Sequence, residues 1–368
     1  MELQIVDPSK IPPLRMIGSK LNLLLELKQV IQNNNITGTS FFDAFSGSGA
    51  VGRFFKKSFS IISSDNLYFS YALQRALITL NEYPTFENVP LPSLQGLSLE
   101  KRIMSILTYL SSTEEEGFIF SHYTPYSLNV DGIERMYFTI ENGKKIDGAR
   151  ITLEEWKLAG YLSEDEYYYL LASIILGVQR IANISGTYGA FNKKWDRRAF
   201  KPFRPEFIEI IPSKFIHRAY WGDVIELISR SDFPETDITY LDPPYNSRQY
   251  IANYHLLETI ARYDNPDIKG VSGIRVYSEK DKSLFSMKTK VRGAFFKLLS
   301  LLKTKYVILS YNSEGLLSKD DIFSIFDKVG KFEFKYFREV EYRRFKSHNN
   351  VKRNNVKEYI FVYRREVL

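Results

Sequence analysis

Apolar and polar positions along the chain fall into two groups of strand-like runs. Residues 39–45 and 59–65 come early, the first running into a glycine-rich turn and the second into a helical-looking segment. Residues 238–245 and 305–312 come late, and two longer candidates follow at 334–345 and 356–364. Strands that alternate with helical patterns predict a parallel sheet with helices on both faces. The last two candidates, joined by the polar stretch 346–355, predict an antiparallel hairpin at the sheet's edge. Between about residues 83 and 205 the alternation stops. An acidic turn at Glu114, Glu115 and Glu116, a turn-rich passage at 129–132 and a helical run over 153–181 lead into the glycine-bearing 185–189. This predicts a mostly helical insertion over 83–205, flanked by 1–82 and 206–368 as the two parts of one sheet domain.

Composition narrows the chemistry. With 44% hydrophobic and 25% charged residues, wholesale disorder and collagen-like structure are excluded. The absence of cysteine excludes disulfides, thiolate zinc sites, iron–sulfur clusters and cysteine nucleophiles, and fits a reducing compartment. The longest uncharged apolar stretch, over 170–178, falls far short of the ~20 residues that a spanning helix needs. Residues 1–10 are mixed and polar, without a signal-peptide core. The expectation is a soluble cytoplasmic protein.

The net charge of +7 is concentrated rather than spread. Segment 331–365 holds eleven Lys or Arg against four Glu, a surplus equal to that of the whole chain. Segment 193–204 carries six basic residues against Asp196, with Trp195, Phe200 and Phe203 interleaved. Such clusters form either a solvated face or a surface for a polyanion, where cations meet phosphates and aromatic rings meet bases.

Two motifs carry chemistry. In the first, the run ending Phe41-Phe42-Asp43-Ala44-Phe45 is followed by Ser46-Gly47-Ser48-Gly49-Ala50-Val51-Gly52. Glycines directly after a strand allow a tight turn and a close approach to a ligand, and the next helix presents free N–H groups. Gly47, Gly49 and Gly52 match G-x-G-x-x-G, and Asp65, eighteen residues after Gly47, could hold a ribose hydroxyl. The pattern suits any adenosine-bearing cofactor, nicotinamide dinucleotide or S-adenosylmethionine alike, or a tight turn with no ligand.

The second motif is Asp242-Pro243-Pro244-Tyr245, at the end of an apolar run. Two prolines end the strand because neither can donate to the ladder. They fix the Asp242 carboxylate, the Pro243 carbonyl and the Tyr245 ring around one small space. An aromatic amine such as adenine N6 is a poor nucleophile, its lone pair being delocalised into the ring. Two acceptors that take its hydrogens draw the nitrogen towards a tetrahedral geometry, and the Tyr245 ring offers a face for an extruded base.

With both motifs in one chain, the sequence resembles the amino-directed DNA methyltransferases, specifically Dam-like N6-adenine enzymes. Arg15-Met16-Ile17-Gly18-Ser19-Lys20 is similar to that group's opening motif, whose lysine lies near the cofactor's methionine end. Asp43, Phe45, Gly47 and Gly49 resemble the cofactor motif, with Ala44 where the family usually has Pro. Asp65 and Asn66 occupy the place of the ribose contact, and Trp221-Gly222-Asp223 resembles the element whose acid approaches the cofactor's adenine. Ser310-Tyr311-Asn312 and Asn354-Asn355-Val356-Lys357-Glu358 resemble the later motifs. Restriction–modification methyltransferases of the FokI type are resembled in Asp242 to Tyr250, in Gly186 to Phe191 and in Ser310 to Gly315. Asp at the head of the catalytic motif implies adenine, since cytosine-N4 enzymes of this group more often carry Ser there.

The resemblance implies a class I S-adenosylmethionine-dependent methyltransferase fold: α/β, Rossmann-like, with a mainly parallel seven-stranded sheet and a C-terminal antiparallel hairpin. It implies S-adenosylmethionine as cofactor, with Arg15, Met16, Gly18, Ser19, Lys20, Asp43, Phe45, Gly47, Gly49, Asp65, Asn66, Asp223 and Asp242 around it. Asp242, Pro243, Pro244 and Tyr245 would be catalytic, double-stranded DNA the substrate, and the insertion the target-recognition domain. Candidate DNA contacts are Arg135, Lys144, Lys145, Arg150, Lys193, Lys194, Arg197, Arg198, Arg248 and Tyr250. A cognate restriction endonuclease would be a companion in the same system. The four histidines, at 122, 217, 255 and 348, make no metal spacing, and no metal is expected. An RNA adenine or cytosine-N4 methyltransferase would share the cofactor pocket, and a catalytically silent DNA-binding module would share the fold.

Overall fold

Four of the predicted runs become neighbouring strands because both faces of each find apolar partners. The computed structural model describes residues 3–14, 16, 20–342 and 356–366. Its strands are β1 (Ser40–Asp43), β2 (Ser60–Asp65), β3 (Arg218–Trp221), β4 (Thr236–Leu241), β5 (Ile268–Lys269), β6 (Ile274–Arg275), β7 (Thr304–Asn312), β8 (Phe332–Tyr342) and β9 (Val356–Arg365). Seven of them form one sheet in the order β3-β2-β1-β4-β7-β9-β8, and β5 and β6 form a separate small hairpin. The ladders β3–β2, β2–β1, β1–β4 and β4–β7 are parallel. β9 runs antiparallel to both β7 and β8, as the predicted hairpin requires. The expected turn over 346–355 lies outside the described residues.

Alternate side chains along the strands feed two cores, as a sheet covered on both faces demands. Phe41, Ile61, Ile238, Ile308, Ile360 and Val362 share one cluster, and Phe42, Ile62, Leu241, Val307, Leu309 and Phe361 share the other. Ile103, Leu170, Ile174 and Val178, all from residues 83–205, belong to the first cluster. Residues 83–205 therefore pack into the same core as the sheet.

Three expectations are corrected. The run 238–245 stops as a strand at Leu241, because Pro243 and Pro244 cannot continue the ladder. The helical run over 153–181 is two helices, Ile140–Leu158 and Glu164–Ile181. Gly160, at φ +76°, turns the chain between them, and Ser163 with Glu166 builds a capping box at the start of the second. β3 answers to none of the predicted runs: it is four residues long, lies at the sheet's edge, and leaves Arg218 and Trp221 exposed. No helix among the described residues is long and apolar enough to cross a membrane.

Candidate active site

Because β2, β1 and β4 are parallel, their last residues, Asp65, Asp43 and Leu241, open onto the same end of the sheet. The strand order reverses direction between β1 and β4, and ligands of open α/β sheets bind outside the carboxyl ends at such a point. The glycine turn follows β1 there, and the Asp-Pro-Pro-Tyr loop follows β4.

The turn is held by two carboxylates. Asp43, buried at 1% exposure, accepts from Ser46 Oγ at 2.9 Å and from the Gly52 N–H at 3.1 Å. Burial pushes its pKa up to about 7. Asp65 accepts from the Gly47 N–H at 2.8 Å and the Leu67 N–H at 2.9 Å, and burial pushes it up to about 6. Gly47 and Gly49 sit at φ +52° and +76°, conformations that favour glycine. Gly52 is required for a different reason: a Cβ there would lie 2.7 Å from Ile78 Cδ1.

Asp242 lies just past β4 and is ion-paired to Lys20 at 2.9 Å. Lys20 also meets Glu358 of β9 at 2.7 Å, and its side chain is only 6% exposed. Burial pushes the Asp242 carboxyl up to about 7, while the Lys20 cation acts against that rise. Lys20 itself is held well above its ordinary range, overcoming burial through Asp242 and Glu358. The backbone carbonyl of Tyr245 accepts from the Leu316 N–H at 2.9 Å, which ties the Asp-Pro-Pro-Tyr loop to the segment after β7.

One cavity unites these parts. Met16, Lys20, Asp43, Phe45, Gly47, Asp65, Asn66, Asp223 and Asp242 line it, as do Pro244, Tyr245 and Tyr250. Gly49 stands behind the wall as the N-cap of the helix Ala50–Phe55, and Pro243 is buried without lining the cavity. Asp223 caps the helix Val224–Ile228 by accepting from the Ile225 and Glu226 N–H groups. Arg15, Gly18 and Ser19 lie outside the described residues.

Sequence reasoning missed Gln249, Asp281, Ser283 and Phe285, which also line the cavity. Gln249 donates to the Ser283 carbonyl at 3.2 Å and accepts from the Ser283 N–H at 2.8 Å, so an amide clamp joins the Asp-Pro-Pro-Tyr loop to segment 278–286. Only the position of Gln249, four residues past Tyr245, could have signalled it. Among the described residues the sole cation on the wall, Lys20, is already shared between two carboxylates, whereas Asp43, Asp65, Asp223, Asp242 and Asp281 are all present. Such a set of acceptors suits a ligand that brings hydroxyls and positive charge. It opposes the two negative charges of a dinucleotide's pyrophosphate.

The predicted DNA contacts divide. Arg135 and Arg150 are corrected: both are buried, at 1% and 0% exposure, and cannot reach a nucleic acid. Arg135 pairs with Asp131 at 2.7 Å and donates to the carbonyls of Val271 and Gly270. Arg150 pairs with Glu154 at 2.6 Å and donates to the carbonyls of Ile260 and Ala261. Lys144 is half-buried, paired with Glu116, and Lys145 is half-buried too. Lys193, Lys194, Arg197 and Arg248 are exposed. Arg198 is turned inward onto Asp196 and the Ile184 carbonyl. Phe200, 63% exposed beside Trp195, projects from this basic loop, whose backbone Asn142 holds through the Ala199 and Lys201 carbonyls.

Comparison with known proteins agrees with this geometry. The family described as D12 class N6 adenine-specific DNA methyltransferase matches residues 16–325. The type II methyltransferase M.FokI of Planomicrobium okeanokoites is 40% identical over 355 residues, which cover 96% of this chain and 53% of that protein. The type II methyltransferase M.NlaIII of Neisseria lactamica is 39% identical over 353 residues, covering 94% of this chain and 97% of that protein. The modification methylase StsI of Streptococcus sanguinis is 34% identical over 355 residues, covering 96% and 52%. The chain thus spans about half the length of M.FokI and StsI and nearly all of M.NlaIII. A glycine turn, an acid-lined cavity and an Asp-Pro-Pro-Tyr loop at one sheet end, together with these matches, place the chain in the D12 class N6 adenine-specific DNA methyltransferase family.

Proposed function

We propose that the chain methylates N6 of adenine within a specific duplex DNA sequence, with S-adenosylmethionine as methyl donor. The observation that carries the reading is the convergence of the Asp65-pinned glycine turn and the Asp242 loop on one cavity. When bound, S-adenosylmethionine supplies an electrophilic methyl group on a positively charged sulfur. Asp65 would hold the ribose and Asp223 the adenine of the cofactor, while Met16, Phe45 and Gly47 enclose it.

The chain's own residues prepare the amine. The Asp242 carboxylate and the Pro243 carbonyl accept its two hydrogens, and the Tyr245 ring stacks on the extruded base. Positive charge that develops on the nitrogen is stabilised by a carboxylate already fixed in place. Only ionised Asp242 can do this, so the methylation rate should rise with pH through about 7.

Target recognition is assigned to 83–205, with Lys193, Lys194 and Arg197 on its exposed basic loop as phosphate contacts. The names of M.FokI and M.NlaIII support a modification role in a type II restriction system, alongside an endonuclease that reads the same site. A cytoplasmic location is part of this reading, since the substrate is the cell's own DNA. The test is single-turnover methylation of duplex DNA, with product analysis, by the parent, Asp242→Asn and Asp242→Ala. The Ala variant should lose about 10²- to 10³-fold or more, the scale set by removing a fixed electrostatic stabiliser. The Asn variant, which keeps an acceptor without charge, should fall between. Full activity in Asp242→Ala would sink the mechanism, and methyl groups found on cytosine would overturn the substrate.

A further inference from the structure

We propose that Glu358 is a positioning residue for methyl transfer: through Lys20 it orients Asp242 and supplies the negative charge that Lys20 would otherwise cancel. The inference rests on the methyl-transfer reading above and adds to it a residue from the opposite end of the chain.

Glu358 is an anomaly in β9. Glu358, Ile360 and Val362 share one face of the strand by its two-residue period, and Ile360 and Val362 are core residues at 0% and 1% exposure. Glu358 is 3% exposed in the same row. A carboxylate at such a position is costly to desolvate, and an apolar residue of similar size is often neutral or stabilising there. Packing therefore gives no reason for it.

Its contacts give one. Glu358 Oε1 meets Lys20 Nζ at 2.7 Å, and Lys20 Nζ meets Asp242 Oδ1 at 2.9 Å. The Asn312 amide, from the paired position on β7, donates to the other Glu358 oxygen at 3.4 Å. The ammonium is thus held between two carboxylates, one anchored in the sheet and one belonging to the catalytic loop. Anchoring fixes where Lys20 approaches Asp242, and so keeps the second Asp242 oxygen oriented for an incoming amine.

Charge adds a second effect. Lys20 and Asp242 alone would form a neutral pair, which offers little to a nitrogen turning cationic. One ammonium between two carboxylates leaves an excess of one negative charge in a desolvated site, where electrostatic stabilisation is strongest. The same excess opposes ionisation of Asp242. The titratable groups facing that carboxyl are Lys20 from the N-terminal segment, Glu358 from β9, Tyr240 from β4, Asp43 from β1 and Tyr250 from the helix Tyr250–Asn253. Of these, Lys20 pulls its pKa down and Glu358 pushes it up.

Glu358→Gln separates geometry from charge, because its amide oxygen still accepts from Lys20. Single-turnover methylation across the neutral pH range should show a maximal rate lowered about tenfold or more. The acid limb should move to lower pH, by about one unit, because a like charge beside Asp242 is gone. Calorimetric S-adenosylmethionine affinity should stay within a few-fold of the parent's. Glu358→Asp, which keeps the charge, should hold the acid limb near the parent's, and Lys20→Met should move it to higher pH. The inference is overturned if Glu358→Gln keeps the parent's rate and acid limb, or loses rate and thermal stability with the limb unmoved. Should Glu358→Gln fail to fold, an unmoved limb in Lys20→Met overturns it equally. A parent that methylates no adenine at all refutes the function rather than the role of Glu358.

Discussion

Asp65 offers the sharpest separation of a loop-holding role from a ligand-holding one. Its two oxygens are divided between two backbone donors, Gly47 N–H at 2.8 Å and Leu67 N–H at 2.9 Å. Asp65→Ala leaves both donors without that acceptor and releases the glycine turn. Asp65→Asn has one acceptor oxygen and one amide donor, so one backbone N–H must face an NH₂ group. A hydrogen bond to a charged group is worth about 1.5–3 kcal/mol. Removing one such bond to a ribose hydroxyl weakens S-adenosylmethionine binding by about 10- to 150-fold. The released turn should bring Asp65→Ala to the upper end of that range, and Asp65→Asn should lie below it.

The pH dependence carries a sign that checks the assignment. Burial raises the folded pKa of Asp65 to about 6, above its ordinary value. Its contribution to folding stability is therefore complete below the ordinary carboxylate range and lost as pH rises through about 6. Cofactor binding should run the other way, because in the proposed binding mode the ribose hydroxyls would donate to the ionised carboxylate. Affinity should rise as pH increases through about 6, and Asp65→Asn should abolish that step. Asp43 and Asp242, both pushed up to about 7, leave a separate step at higher pH in both proteins. Isothermal calorimetry with S-adenosylmethionine, beside a circular dichroism check of folding, reads both effects. Unchanged affinity in a folded Asp65→Ala protein would refute the pocket assignment.

Two further outcomes follow from where the cations lie. Changing Lys193, Lys194 and Arg197 together to Gln should flatten the fall of DNA affinity with salt by about two to three released counterions. An unaltered slope would return the loop to a solvated face. Arg150→Met should cost about 3 kcal/mol of stability in denaturant titrations, by leaving Glu154 and two interior carbonyls without their cation, yet leave the salt slope intact. A changed slope in the folded Arg150→Met protein would restore that residue to the DNA surface.

What the sequence displayed was set by how local each feature is. β1, β2, β4 and β7 are buried on both faces, so each writes an apolar run ended by turn-forming residues. β3 pairs along one side only and is half-exposed, so Arg218-Ala219-Tyr220-Trp221 carries no such run. The glycine turn and the Asp-Pro-Pro-Tyr loop were legible because each is contiguous, and its residue types already dictate a backbone shape. The bond between Lys20 and Glu358 joins positions 338 residues apart, and although each ends a recognisable motif, neither motif announces the pairing.

Arg135 and Arg150 show how a correct charge count can still misplace a cation. A basic residue reads as surface because burying an unpaired charge is prohibitive, and the sequence does not display the pairing that removes the penalty. In the helix Ile140–Leu158 that pairing is general. Its buried side includes Asn142, Asp147 and Arg150 among Ile146, Ala149 and Leu153. Asp147 accepts from the Ile119 and Phe120 N–H groups and from the Tyr263 hydroxyl, and Arg150 donates to the carbonyls of Ile260 and Ala261. The partners come from residues 119–120 and from 260–263, beyond the Asp-Pro-Pro-Tyr motif. Asn142, Asp147 and Arg150 are interleaved with the apolar Ile146, Ala149, Leu153 and Trp156 on that buried side, so the helix's inward cation looks like an outward one. The Arg150 bonds and the Tyr263 bond fasten residues 83–205 to the helix His255–Arg262 and its cap, which follow the Asp-Pro-Pro-Tyr loop. They thereby hold residues 83–205 and the Asp242 loop in a common frame, as the proposed coupling of recognition to methyl transfer would require.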